Sequence, residues 1–176
     1  MFGKLKGLFG GSAGISIAAP MAGTVVPLEE VPDPTFAQGI LGQGAAILPA
    51  EGRVTAPADG TIDVMFDTGH AVSMTTADGA EVLIHVGIDT VQLNGQHYKA
   101  CCKAGDRVKK GDLLIEFDPE AVKAAGYETV TPVIICNTDR FAAVKTEKTG
   151  PVAAGDVLIE DVCGTGVAVV ATKSVC

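Results

Sequence analysis

The chain has 176 residues, with 13 Lys and Arg against 21 Asp and Glu for a formal charge of −8, a length that suits one domain-sized core. That acidity removes the basic footprint a nucleic-acid binder needs. Glycine (22) and proline (9) far exceed the roughly 12% of average usage and charged residues are only 19%, while no apolar run nears the ~18 residues of a membrane span; an all-β domain fits this composition better than long helices.

Residues 1–14 form a segment apart. Phe2, Leu5 and Phe9 recur at helical spacing with Lys4 and Lys6 beside them, so a flexible tail with an amphipathic pattern is expected, making at most weak contact with an anionic membrane surface. Met1 to Met21 faintly imitates a secretion signal, but Gly10, Gly11, Gly14 and Pro20 interrupt the apolar stretch such a signal needs.

Two pairs of repeats follow. Ile17 to Thr24 reads IAAPMAGT and Val54 to Thr61 reads VTAPADGT; Val108 to Glu116 reads VKKGDLLIE and Val152 to Glu160 reads VAAGDVLIE. Each is a turn feeding a short apolar strand, and the offsets of 37 and 44 residues predict a β-domain of two half-barrels related by an approximate two-fold. Asp59-Gly60 and Asp78-Gly79 predict tight hairpins within a central meander. Asp118 and Pro119 predict a short helix over 120–125 that stops at Gly126, and Asp139 to Val144 another turn or two of helix. None of the five cysteines forms a C-x-x-C pair, and their odd number with Cys101 beside Cys102 suits free thiols in a reducing cytoplasm.

Chemistry concentrates in Glu81 to Asp89. Period two puts Val82, Ile84, Val86 and Ile88 on one apolar face and Glu81, Leu83, His85, Gly87 and Asp89 on the other. His85 therefore points away from the core, with Gly87 leaving space beside it and Asp89 available to orient it. Across the Asp78-Gly79 turn, His70 falls at a comparable height. Parity groups it with Val72 and Met74 toward the core, unless Gly69 bulges the chain and resets the register. His97, near Asn94-Gly95, reads as a solvated loop residue. A zinc site lacks a third ligand and any H-E-x-x-H or H-x-H pattern, and no serine sits in a G-x-S-x-G elbow. Nucleophilic catalysis by histidine remains, in which a neutral ring nitrogen attacks a phosphoryl group.

At this point a family resemblance emerges. EVLIHVGIDTV at 81–91, FDTGHA at 66–71, TPVIICN at 131–137, VPDPTFAQGILGQGAAI at 31–47 and GDRVKKGDLLIEFD at 105–118 resemble the glucose-type enzyme IIA domain of the bacterial phosphoenolpyruvate-dependent sugar phosphotransferase system. The likeness implies an antiparallel β-sandwich or flattened barrel of duplicated hybrid motifs with one or two very short helices, covering residues 15–162. It implies a cytoplasmic phosphocarrier without cofactor or metal. His85 would accept a phosphoryl group from a histidine of the small phosphocarrier protein HPr and pass it to a cysteine of an enzyme IIB domain. His70 would hydrogen-bond the bound group, Thr68 would orient the pair, and Asp89 would lie where partners dock. Phe36, Ile40, Leu41 and Phe66 are nominated as an apolar docking ring.

The chain departs from the family pattern at Val86, where Phe is usual, at Gln96-His97-Tyr98, at Cys101-Cys102 and in residues 163–176, an extension for which two readings stand, an added edge strand or a continuation toward a further segment. A biotinyl or lipoyl carrier shares V-K-K-G-D turns but lacks the modified-lysine tripeptide here. A regulatory β-domain that only binds transport or metabolic proteins through the His70 and His85 face is the alternative of another class; some family members do both.

Overall fold

The computed structural model describes residues 14–141, 144–146 and 149–161. The amphipathic segment and the extension after 162 lie outside the described residues. In chain order the strands are β1 (Ser16–Ala18), β2 (Gly23–Pro27), β3 (Gln43–Pro49), β4 (Arg53–Thr55), β5 (Gly60–Met65), β6 (Ala71–Thr76), β7 (Glu81–His85), β8 (Tyr98–Ala100), β9 (Arg107–Val108), β10 (Leu113–Phe117), β11 (Thr131–Ile135), β12 (Val144–Thr146), β13 (Gly150–Val152) and β14 (Val157–Asp161); the helices are α1 (Pro34–Ala37) and α2 (Pro119–Ala124). An eight-stranded sheet in the order β13-β2-β3-β11-β7-β6-β5-β9 packs with two three-stranded sheets, β1-β14-β12 and β4-β10-β8. The strand pairs are antiparallel. This is the expected all-β architecture.

The sequence repeats are structural repeats. Ala18 N–H donates to Pro57 O (2.9 Å) while Thr55 N–H donates to Pro20 O (2.7 Å), and the 37-residue offset exchanges these two bonds. Ala19 N–H reaches Asp156 O (2.7 Å) as Ala56 N–H reaches Asp112 O (2.8 Å), and Gly155 and Gly111 return bonds of 2.9 Å to Ala19 O and Ala56 O. The flanking registers match as well. β1 pairs Ile17 with Ile159 and β4 pairs Val54 with Ile115, each followed by an irregularity one residue later. Two arms that cannot bury their own backbone polar groups thus satisfy each other's across a local two-fold.

The main core lies between the sheets, with Ile17, Met21, Ile47, Ile62, Met74, Val82, Ile84, Val133, Ile135, Leu114 and Leu158 among its buried members. A second cluster of Leu28, Val31, Phe36, Ala46, Ile88, Val130 and Ile134 covers the opposite face of the large sheet. Burial on both faces explains why every residue of β11 is buried, a continuous apolar run rather than an alternation. It also corrects one expectation: Ile88 does not extend the face of Val82, Ile84 and Val86, because Gly87 adopts φ +85° and turns the chain toward the second cluster.

Two other expectations differ. Asp59-Gly60 is not a tight hairpin: β4 and β5 belong to different sheets, and the Asp59 carboxylate accepts from Lys110 N–H (2.8 Å). Gly60 is needed for close approach, since a Cβ there would stand 2.3 Å from Thr75 O. Among the described residues of 139–144 there is no α-helix. A 3₁₀ turn spans Thr138–Arg140 and β12 begins at Val144, so strand pairing with β14 outweighs local helix preference. The helix after Asp118 forms as expected, the capping carboxylate accepting from Ala121 N–H (3.0 Å).

Candidate active site

His85 is the last residue of β7. It lies opposite Ala71, the first residue of β6, and the next rung is Val86 N–H to His70 O (2.7 Å). That register brings the two imidazoles together, with ring centroids 5.0 Å apart and planes at 80°. His70 precedes the strand. The turn before it closes through Gly69 N–H to Phe66 O (2.7 Å), and Gly69 has φ +68°, so strand parity does not carry back and His70 leaves the core formed by Val72 and Met74. It is nonetheless buried, at 4% exposure.

Each ring has a partner at Nδ1. The His85 Nδ1 lies 2.7 Å from Gly87 O. A carbonyl only accepts, so the bond requires the proton on Nδ1, and in the neutral ring Nε2 carries the free lone pair. The His70 Nδ1 is hydrogen-bonded to the Thr68 hydroxyl. Phe36 tilts against His85 (centroids 5.1 Å) and Phe66 meets His70 edge-on (5.4 Å), which locks both ring orientations from the sides.

Burial disfavours the charged imidazolium. It lowers His70 to about 4, with repulsion from His85 adding to the effect. Burial also lowers His85, opposed by the Gly87 carbonyl bond and then by the Asp33 and Asp89 carboxylates. Both rings are therefore neutral at pH 7, and His85 is a base-form nitrogen held in one tautomer. Such an arrangement can attack an electrophile without first losing a proton. Among the described residues, no group of three or more His, Cys, Asp or Glu is placed to hold a metal ion.

A family model described as the phosphoenolpyruvate-dependent sugar phosphotransferase system, EIIA 1, matches residues 15–141. The chain belongs to this EIIA family. A glucose-specific EIIA component of Oceanobacillus iheyensis is 45% identical over 142 residues, covering 81% of this chain and 86% of the relative. A beta-glucoside-specific EIIBCA component of Dickeya chrysanthemi is 47% identical over 148 residues, 84% of this chain. The chain spans only 24% of that relative, whose name joins EIIA to B and C components. The solved glucose permease IIA from Mycoplasma capricolum superposes with a TM-score of 0.79 at 32% identity, covering 84% of this chain and 96% of that one. EIIA components are phosphotransferases of sugar transport, and no helix among the described residues is long and apolar enough to cross a membrane.

Around the EIIA histidines the remaining nominated residues divide. Phe66 (41%), Ile40 (67%) and Leu41 (37%) are exposed, whereas Phe36 (5%), a residue of α1, is buried and packs the His85 ring instead of offering free surface. Asp89 is exposed at φ +58°, placed by the turn after Gly87 and not by strand parity. His97 is an exposed loop residue. Sequence reasoning missed four contributors. Asp33 caps α1, accepting from Thr35 N–H (2.8 Å), and acts on His85 through space; its Asp-Pro start was the available signal. Val91, two residues after Asp89, is an apolar side chain 49% exposed. Thr90 and Tyr98 both donate to Val86 O, at 2.8 and 2.9 Å, long-range geometry that spacing does not reveal.

Proposed function

We propose that this chain carries a phosphoryl group on His85 Nε2, received from a phosphohistidine of HPr and passed to a cysteine of an enzyme IIB domain to drive sugar uptake. The observation that carries the reading is the Gly87 carbonyl bond, which leaves Nε2 unprotonated beside a second imidazole. In the transfer the Nε2 lone pair attacks phosphorus as the donor P–N bond breaks, its electron pair returning to the donor ring. The Nδ1 proton stays in place. The phosphorylated His85 ring is then cationic, and its bond to Gly87 O becomes charge-assisted and stronger. Thiolate attack by the IIB cysteine forms P–S as the His85 P–N bond breaks, the ring leaving as neutral imidazole.

His70 supplies the complementary donor. With the Thr68 hydroxyl donating to its Nδ1, Nε2 carries the proton and points an N–H at the oxygens of the transferring group. Asp33 and Asp89 make a negative rim suited to a basic partner face, and Ile40, Leu41, Phe66 and Val91 supply apolar contact. Relatives that fuse EIIA to B and C components support an enzyme IIB partner.

Intact-mass spectrometry at alkaline pH, after incubation with phosphoenolpyruvate, enzyme I and HPr, tests the reading. One added phosphoryl group on the wild type and none on His85→Ala is expected. No addition to the wild type overturns the carrier role and leaves binding of transport or metabolic proteins as the function of this face.

A further inference from the structure

In the Gln96-His97-Tyr98 stretch, one residue reaches the backbone beside His85 from another sheet. Tyr98 opens β8 of the β4-β10-β8 sheet, yet its hydroxyl donates to Val86 O at 2.9 Å. Thr90 donates to the same oxygen at 2.8 Å, and Val86 N–H is held by His70 O at 2.7 Å. Both lone pairs of that carbonyl and the amide of the same residue are therefore engaged. The next residue is Gly87, whose carbonyl selects the His85 tautomer and whose φ of +85° belongs to the most conformationally free residue type. Rotation about this segment would withdraw the Gly87 carbonyl from Nδ1.

We infer that Tyr98 is a positioning residue for phosphoryl transfer: its hydroxyl fixes the Val86–Gly87 segment, so that the Gly87 carbonyl keeps the proton on His85 Nδ1 and leaves Nε2 free. Tyr98 is well placed to be rigid. Its ring stacks on Phe117 (centroids 5.8 Å, 11° between planes), and a Cβ at Gly69 would lie 3.4 Å from Tyr98 Cβ, so it also abuts the turn that delivers Thr68 and His70. Burial pushes its phenol above the ordinary value, with the Thr90 hydroxyl pulling the other way, and the group stays a protonated donor through the physiological range. Tyr98 thereby ties both histidine-bearing segments to the β4-β10-β8 sheet.

This inference rests on the phosphohistidine reading for its effect on rate but not for its effect on tautomer, and the two are measured apart. Tyr98→Phe keeps the stacked ring and removes only the hydroxyl. Imidazole ¹⁵N resonances of the full chain should show His85 almost wholly Nδ1-protonated in the wild type and a clear Nε2-protonated population in Y98F. Phosphoryl uptake from phospho-HPr should slow roughly three- to tenfold in Y98F, the scale of one net hydrogen bond, with the melting temperature little changed. Thr90→Val, which removes the other donor, should shift the tautomers in the same direction. Unchanged His85 tautomers in Y98F with uptake within about twofold of wild type overturn the inference. A tautomer shift in Y98F alongside a wild type that takes up no phosphoryl group supports Tyr98's control of the His85 tautomer and refutes the carrier reading.

Discussion

The duplicated turns and the histidine pocket sit on one framework and are held in opposite ways. At the turns, backbone groups satisfy backbone groups in pairs that a two-fold exchanges, as with Ala18 to Pro57 and Thr55 to Pro20. At the pocket nothing is paired by symmetry. His85 leans on a backbone carbonyl, which accepts only, and His70 on a side-chain hydroxyl, so two identical rings are held by different kinds of partner. The contrast teaches that duplication built a scaffold whose backbone bonds are shared between halves, while the histidine pocket is held by contacts outside that pairing.

The largest effect should come from placing the same small change in both regions. Gly87 and Gly111 have similar backbone angles, φ +85° and +94°. A Cβ at Gly87 would meet Thr90 Cγ2 at 2.6 Å and Glu128 O at 2.8 Å, whereas at Gly111 nothing lies within 4 Å. Gly87→Ala is expected to cost about 2–4 kcal/mol and to abolish efficient phosphoryl uptake, and Gly111→Ala only about 1 kcal/mol with uptake intact. Chemical denaturation with the mass assay reads both; equal costs would break the distinction between pocket and scaffold.

An intermediate effect is expected from pH. His70 ionises near 6.5 when unfolded and near 4 when folded, so between those values the unfolded chain binds more protons and stability falls as pH is lowered. Above 6.5 the group contributes no slope. His70→Gln should flatten this part of the stability profile, measured by melting temperature against pH, while carboxylate-driven losses at lower pH persist. Unaltered slope in the variant would place the acid sensitivity elsewhere.

The smallest effect sharpens the symmetry itself. Asp112 accepts from Lys109 N–H at 2.8 Å and Asp156 from Ala153 N–H at 3.0 Å, equivalent positions of the repeated Gly-Asp turn. Asp112→Ala and Asp156→Ala should each lose about 0.5–1.5 kcal/mol in urea unfolding. A difference beyond that range would show that the halves carry unequal loads.

Much of this was legible in the linear chain because it depends on local rules. Turn residues mark the repeats, capping chemistry marks α2, and alternation over Val82, Ile84 and Val86 sets the outward face of His85. What failed was reasoning carried past a glycine. Gly87 adopts a left-handed angle and detaches Ile88 from the parity of its neighbours, since period two holds only while the strand continues; at Gly69, also left-handed, the register reset for His70 is one of the two readings the sequence leaves open. Asp59-Gly60 has hairpin composition, yet a turn motif does not state which sheet receives the next strand.

The sequence by itself therefore determined the all-β class, the duplication, the face on which His85 stands and, by resemblance, the family. Only the tertiary structure decided that the two rings meet at 5.0 Å, that Gly87 O selects the His85 tautomer, that Phe36 is buried packing, and that Tyr98 arrives from another sheet to hold Val86 O. Those are contacts between segments distant in sequence, or atoms aimed by a single backbone angle, and neither has a period or a spacing for composition to record.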